Sequence, residues 1–203
     1  MVKYFLLYFS ITYCPFYFKL GKPTPLHSLP TVKWQQKWEI DYSNSSIGFS
    51  VKNFNIFNVK GKFTDYSSNI ETHGPEFTDP KITLSIKVES IDTNIKARDR
   101  HLRSDEFFNV EQYSTIKFSS NSFKQVNNQE YQMEGDLTIK DVTRSTLLEV
   151  KQIKITDDFI DWSISGELDR RDFNLIFTGD SSNRDGLVGD LVKLKITIRL
   201  RRV

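Results

Sequence analysis

Ser90–Phe118 reads SIDTNIKARDRHLRSDEFFNVEQYSTIKF. It leaves one alternating run, in which Ile82, Leu84, Ile86 and Val88 sit between Lys81, Thr83, Ser85, Lys87 and Glu89, and it enters another at Thr115–Phe118. A period of two marks strands with one buried and one wet face. Between the two runs lies a short, heavily charged segment. Ile95 and Leu102 are seven apart, the spacing of one helical face, and Arg98 and Asp99 fall on the same stripe. Asp99 and Arg103 are four apart, as are His101 and Asp105, so both pairs could close along a helix. The stretch therefore predicts a short helix at about 94–106, laid as a lid over a β structure.

Outward from this lid the period of two dominates. Ile47, Phe49 and Val51 alternate with Gly48, Ser50 and Lys52, and Val59–Phe63 follows. Further on come Ile116 and Phe118; Tyr131, Met133, Leu137 and Ile139; Thr146–Ile155; Ile160, Trp162, Ile164 and Leu168; and Val192, Leu194, Ile196, Ile198 and Leu200. About eight strands result, an all-β pattern that suits a barrel or a sandwich, and closing a barrel removes exposed edges. Lys140–Asp141 reads as a tight hairpin turn with Asp141 as the residue tolerant of the left-handed region. Asp180–Gly189 reads as a polar loop at a barrel mouth.

The composition of the 203 residues, 38% hydrophobic and 27% charged, is that of a globular domain. The net charge of +2 is misleading, because residues 1–33 carry four lysines and no acid. The remainder holds 24 basic against 26 acidic residues, a poor balance for a nucleic-acid binder. A single cysteine, Cys14, excludes an internal disulfide, and His27, His73 and His101 are too scattered for a paired metal site.

Two domains of unequal character follow: an apolar segment with a linker at 1–33, and a folded domain at 34–203 with its first strand near Trp38. The basic start and short apolar run of Met1–Lys19 resemble a secretory signal, so export to the periplasm or medium is expected. An uncleaved anchor and an untranslated extension are the alternatives. Gly21, Pro23, Pro25 and Pro30 mark the linker.

SIDT, then RDxHLRSxxFF, then YxTIxF resembles the centre of the YceI-like family pattern. Trp38, Ile40 and Asp41 match its opening; Ser45–Lys52, Gly61 with Phe63, GDLTIK at Gly135–Lys140, VTR at Val142–Arg144, and Gly166 with Arg170, Asp172 and Phe173 continue it to about Leu200. The chain departs from the pattern at Asn44 and Asn53, where the family often has His, at Ser114, where it often has Pro, and at Asp141, where it has Gly. The resemblance implies a lipocalin-like antiparallel β-barrel enclosing a long apolar ligand such as a polyisoprenoid, an isoprenoid quinone or a fatty-acid derivative.

In such a barrel the inward positions Ile47, Phe49, Val51, Phe63, Ile82, Leu84, Ile86, Phe118, Leu137, Ile139, Trp162, Ile164, Leu194, Ile196 and Ile198 would line the ligand. Arg98, Asp99, His101 and Arg103 form the lid, tied to the rim by ion pairs. No catalytic residue, metal or cofactor other than a bound isoprenoid-type lipid is expected. Transient membrane contact and a homodimer remain open. The alternatives are an enzyme acting on such a lipid with His101 as acid or base, and an envelope interaction protein whose barrel is packed solid. Asp169, Arg170, Arg171 and Asp172 read as a paired strand end, and Trp38 and Trp162 as core aromatics.

Overall fold

A computed structural model describes residues 38–53, 57–72, 80–176 and 188–203. Within these residues the alternating runs form strands β1 (Trp38–Ile40), β2 (Ser46–Asn53), β3 (Phe57–Phe63), β4 (Tyr66–Glu71), β5 (Lys81–Lys87), β6 (Ile91–Asp92), β7 (Thr115–Gln125), β8 (Glu130–Ile139), β9 (Val142–Ile155), β10 (Phe159–Asp169) and β11 (Val188–Arg202), accompanied by the helix α1 (Lys96–Arg103). All pairings are antiparallel.

Several of these strands are halves of longer ones. Only Thr64 and Asp65 separate β3 from β4, and a 3-10 turn at Val88–Ser90 separates β5 from β6. The pairs Phe63↔Ile91 and Tyr66↔Ile86 flank backbone hydrogen bonds from Thr64 N to Ser90 O (3.2 Å) and from Lys87 N to Asp65 O (2.9 Å), so the four pieces make one bent hairpin. Likewise β1 and β2 are one strand broken by a 3-10 turn at Tyr42–Asn44, and β11 pairs with both halves. Counted this way, eight segments run up and down and the last returns to the first. The fold is a lipocalin-like antiparallel barrel.

Among the described residues the ladders shift register at three places, and two of these are single-residue bulges that help to bend the sheet. One extra residue on β7 between Ser120 and Ser122 shifts the alternation, so that Phe123, opposite Met133, faces the interior where Phe118 does lower on the strand. The second falls on β9, where Asp161 and Trp162 pair with Lys154 and Gln152.

Several expectations need correction. The helix is shorter than 94–106, running only from Lys96 to Arg103, and the next residues turn to bury Phe107 and Phe108. Ile95 lies just outside the helix and is 51% exposed, so the apolar stripe reduces to Leu102. In the two-residue turn it is Lys140, at φ 56°, that adopts the left-handed region rather than Asp141. Gly189 belongs to β11 rather than to a loop, while the rest of the expected polar loop, 180–187, lies outside the described residues. The expectations for residues 1–33, for His27 and for His73 fall outside them as well.

An eight-residue helix is too short to persist alone and must be held by its side chains. It is, though not by the ion pairs expected. Buried Asp99 accepts hydrogen bonds through Oδ1 from both the amide and the hydroxyl of Thr93. Arg98 donates through Nε to Thr93 Oγ1 (2.7 Å) and through Nη2 to Thr93 O (2.8 Å); Arg103 donates through Nη2 to Ile91 O (2.8 Å). His101 Nδ1 lies 3.3 Å from Glu106 rather than pairing with Asp105. The lid is thus stitched to the segment that precedes it. Asp99→Ala strands two buried donors of Thr93 and should destabilise the barrel by roughly 1–3 kcal/mol in urea unfolding. A loss within experimental error would show that Asp99 does not hold the helix.

Candidate functional site

The inward faces of the strands enclose a cavity of about 350 Å³ with an almost wholly apolar wall. A pocket needs only about 10–15 Å³ to admit one water, so this is not a packing defect. At about 24 cal/mol per Å³, leaving such a space void would cost on the order of 8 kcal/mol, comparable with the entire stability of a domain. The interior is not packed solid.

All fifteen inward positions read from the alternation line the cavity. Their coherence follows from register: Trp162, Ile164 and Gly166 lie opposite Ile198, Ile196 and Leu194, and Ile196 and Leu194 lie opposite Ile47 and Phe49 on the next strand. Of the lid residues, Arg98 and His101 line the space together with Leu102, one helical turn of spacing apart, whereas Asp99 and Arg103 do not. Trp162 is part of the wall; Trp38 is buried outside it, under the Arg202 guanidinium at 5.4 Å.

The sequence reading omitted several wall residues. Ser68 and Ile70 belong to β4, whose sequence YSSNIE hides its period behind polar inward positions. Met133, Leu148 and Val150 continue alternations that were visible. Phe107 and Phe108, packed edge to face at 5.1 Å, close the helix end with Phe63. At the far end Phe123 stacks on Tyr131 and both meet Trp162 edge-on.

Glycine positions set the width of the lumen. The Phe49 ring lies over Gly61 and the Phe118 ring over Gly135, each where a Cβ would otherwise sit; Leu148 Cδ2 would be 2.7 Å from a Cβ at Gly166. Large side chains thereby lie flat against the wall. At Gly61 the three atoms nearest the Cβ position all belong to the Phe49 ring, a side chain with the lumen in front of it. Gly61→Ala should therefore cost the protein less than the roughly 1–3 kcal/mol usual for overpacking, as read in thermal melts. At Gly135 the Ser119 carbonyl, 2.5 Å from a Cβ, cannot move so freely, and the alanine variant should show the full destabilisation in thermal melts.

The polar groups of the wall gather mostly at the helix end. Arg170, 2% exposed, donates to the carbonyls of Leu175 (2.6 Å), Gly189 (3.3 Å) and Val188 (3.4 Å) and pairs with Asp190 at 2.9 Å. It ties the end of β10 to the start of β11. Its neighbour Arg171 grips Asp169 through Nε (3.0 Å) and Nη2 (2.6 Å), and these hydrogen bonds hold the Asp169 carboxyl at about 2. Thr93 and Thr146 add hydroxyls. Among the described residues no group of three or more His, Cys, Asp or Glu side chains is placed to hold a metal ion.

An up-and-down antiparallel barrel around an apolar lumen, with a helix against one end, defines a lipocalin-like protein with an internal pocket. The chain belongs to the YceI-like family: the YceI-like domain matches residues 38–200. A UPF0312 protein of Photorhabdus laumondii is 30% identical over 143 residues, 68% of this chain and 74% of that protein. The Campylobacter jejuni YceI protein superposes with a TM-score of 0.62 at 29% identity, covering 73% of this chain and 86% of that one. A polyisoprenoid binding domain from Saccharophagus degradans shares the fold at 14% identity, with a TM-score of 0.62 over 83% of this chain and 99% of that one.

Proposed function

We propose that this protein binds a long-chain apolar lipid, such as a polyisoprenoid, an isoprenoid quinone or a fatty-acid derivative, inside its barrel, and carries or sequesters it without covalent chemistry. The apolar lumen of about 350 Å³ carries this reading. The polyisoprenoid binding domain that shares the fold supports it.

The physics favours length over polar recognition. Each buried methylene contributes about 0.8 kcal/mol, so eight carbons supply roughly 6 kcal/mol and sixteen roughly 13. Association itself costs at least about 4 kcal/mol. Short chains should leave no measurable affinity, and long ones should reach the micromolar range or better. Titration with prenyl alcohols of increasing length tests this, because binding should strengthen steeply with each isoprene unit until the lumen is full. Flat or absent length dependence would contradict it.

A further inference from the structure

Resting on the carrier reading, we propose that Arg98 is a head-group subsite, and that the preferred ligand is a long apolar chain ending in an anionic oxygen head, a carboxylate or a phosphate ester. Among the described residues, the cavity wall contains two arginines and no acidic residue. They differ in what they have left to offer. Arg170 spends its donors on three carbonyls and the Asp190 carboxylate. Arg98 is fixed by Nε and Nη2 on Thr93 and, among the described residues, has no carboxylate within ion-pair distance and no partner for Nη1.

The same Thr93 hydroxyl that receives Arg98 Nε donates to Asp99. Asp99 therefore positions the guanidinium through one intervening hydroxyl while staying off the lumen wall. The result is an oriented cation with a spare donor at one end of an apolar space. A guanidinium in such surroundings binds carboxylate or phosphate oxygens far better than neutral heads, because a charge-assisted hydrogen bond is about twice as strong as a neutral one. A primary amine head would be repelled.

The test uses three probes of one chain length, a fatty acid, the matching alcohol and the matching amine, with a prenyl phosphate and prenyl alcohol pair as a second arm. Wild type should bind each anion at least tenfold more tightly than its alcohol, and the amine most weakly. Arg98→Gln should bring the ratio of anion to alcohol affinity, measured within the variant, down to about one, with a cooperative thermal melt showing that the barrel remains folded; Arg98→Lys should keep part of the preference. A preference for the fatty acid alone, or for the prenyl phosphate alone, identifies which anionic head is taken. Equal binding of anion and alcohol by wild type, or a preference that survives Arg98→Gln, would overturn the subsite and leave the carrier reading intact. Binding of none of the probes would overturn both.

Discussion

Arg170→Leu should destabilise the barrel by about 3–5 kcal/mol, the largest loss expected of any single polar substitution here. The side chain is buried and serves three backbone carbonyls and Asp190 at once, where β10 gives way to β11. Leucine leaves those carbonyls without donors in a low-dielectric setting, and the buried Phe173 and Leu175 lose the turn that holds them. Asp190 retains Arg171 at 3.2 Å, so adding Asp190→Asn should recover only a minor part. Urea unfolding of the single and double variants measures this. A loss under about 1 kcal/mol would mean that Arg170 is no structural clamp.

The second large effect separates a cavity from a core. Leu84→Trp or Ile164→Trp adds bulk in mid-strand, which a filled interior accepts only with strain of about 1–3 kcal/mol. Both positions face the lumen and are only half-buried in the empty barrel. The apo variants should therefore keep most of their stability and lose long-chain affinity by tenfold or more. Added lipid should raise the melting temperature of wild type and do much less for either variant. Severe apo destabilisation with unchanged lipid binding would place the ligand elsewhere.

Most of the barrel was legible because its strands obey a strict period: β5, β10 and β11 show apolar and polar residues in alternation, and register then brings the inward ones to a common space. What escaped reading has physical reasons. Strand β4 places Ser68 between Tyr66 and Ile70 on its inner face, so its alternation is masked. The bulge at Asn121 turns Phe123 inward against the simple count, and no local residue announces it. Arg170 looked like one of four charges at a strand end, because burial depends on where the distant Gly189 and Asp190 arrive. The lid was placed correctly but its bonding was not: side-chain spacing along a helix suggested Asp99 with Arg103, whereas the preceding Thr93, which helical periodicity does not place, holds Asp99 and Arg98. The volume of the lumen was beyond sequence altogether, since period two describes a filled barrel and a hollow one equally.

Native mass spectrometry of the protein purified without detergent or solvent extraction addresses the lipid-carrier reading most directly. One long-chain lipid per barrel is expected, released intact on denaturation, and its re-addition to stripped protein should restore the melting temperature by the several degrees that saturating ligand confers. Protein that arrives ligand-free, and that neither a polyisoprenoid, a quinone nor a fatty acid stabilises, would contradict that reading.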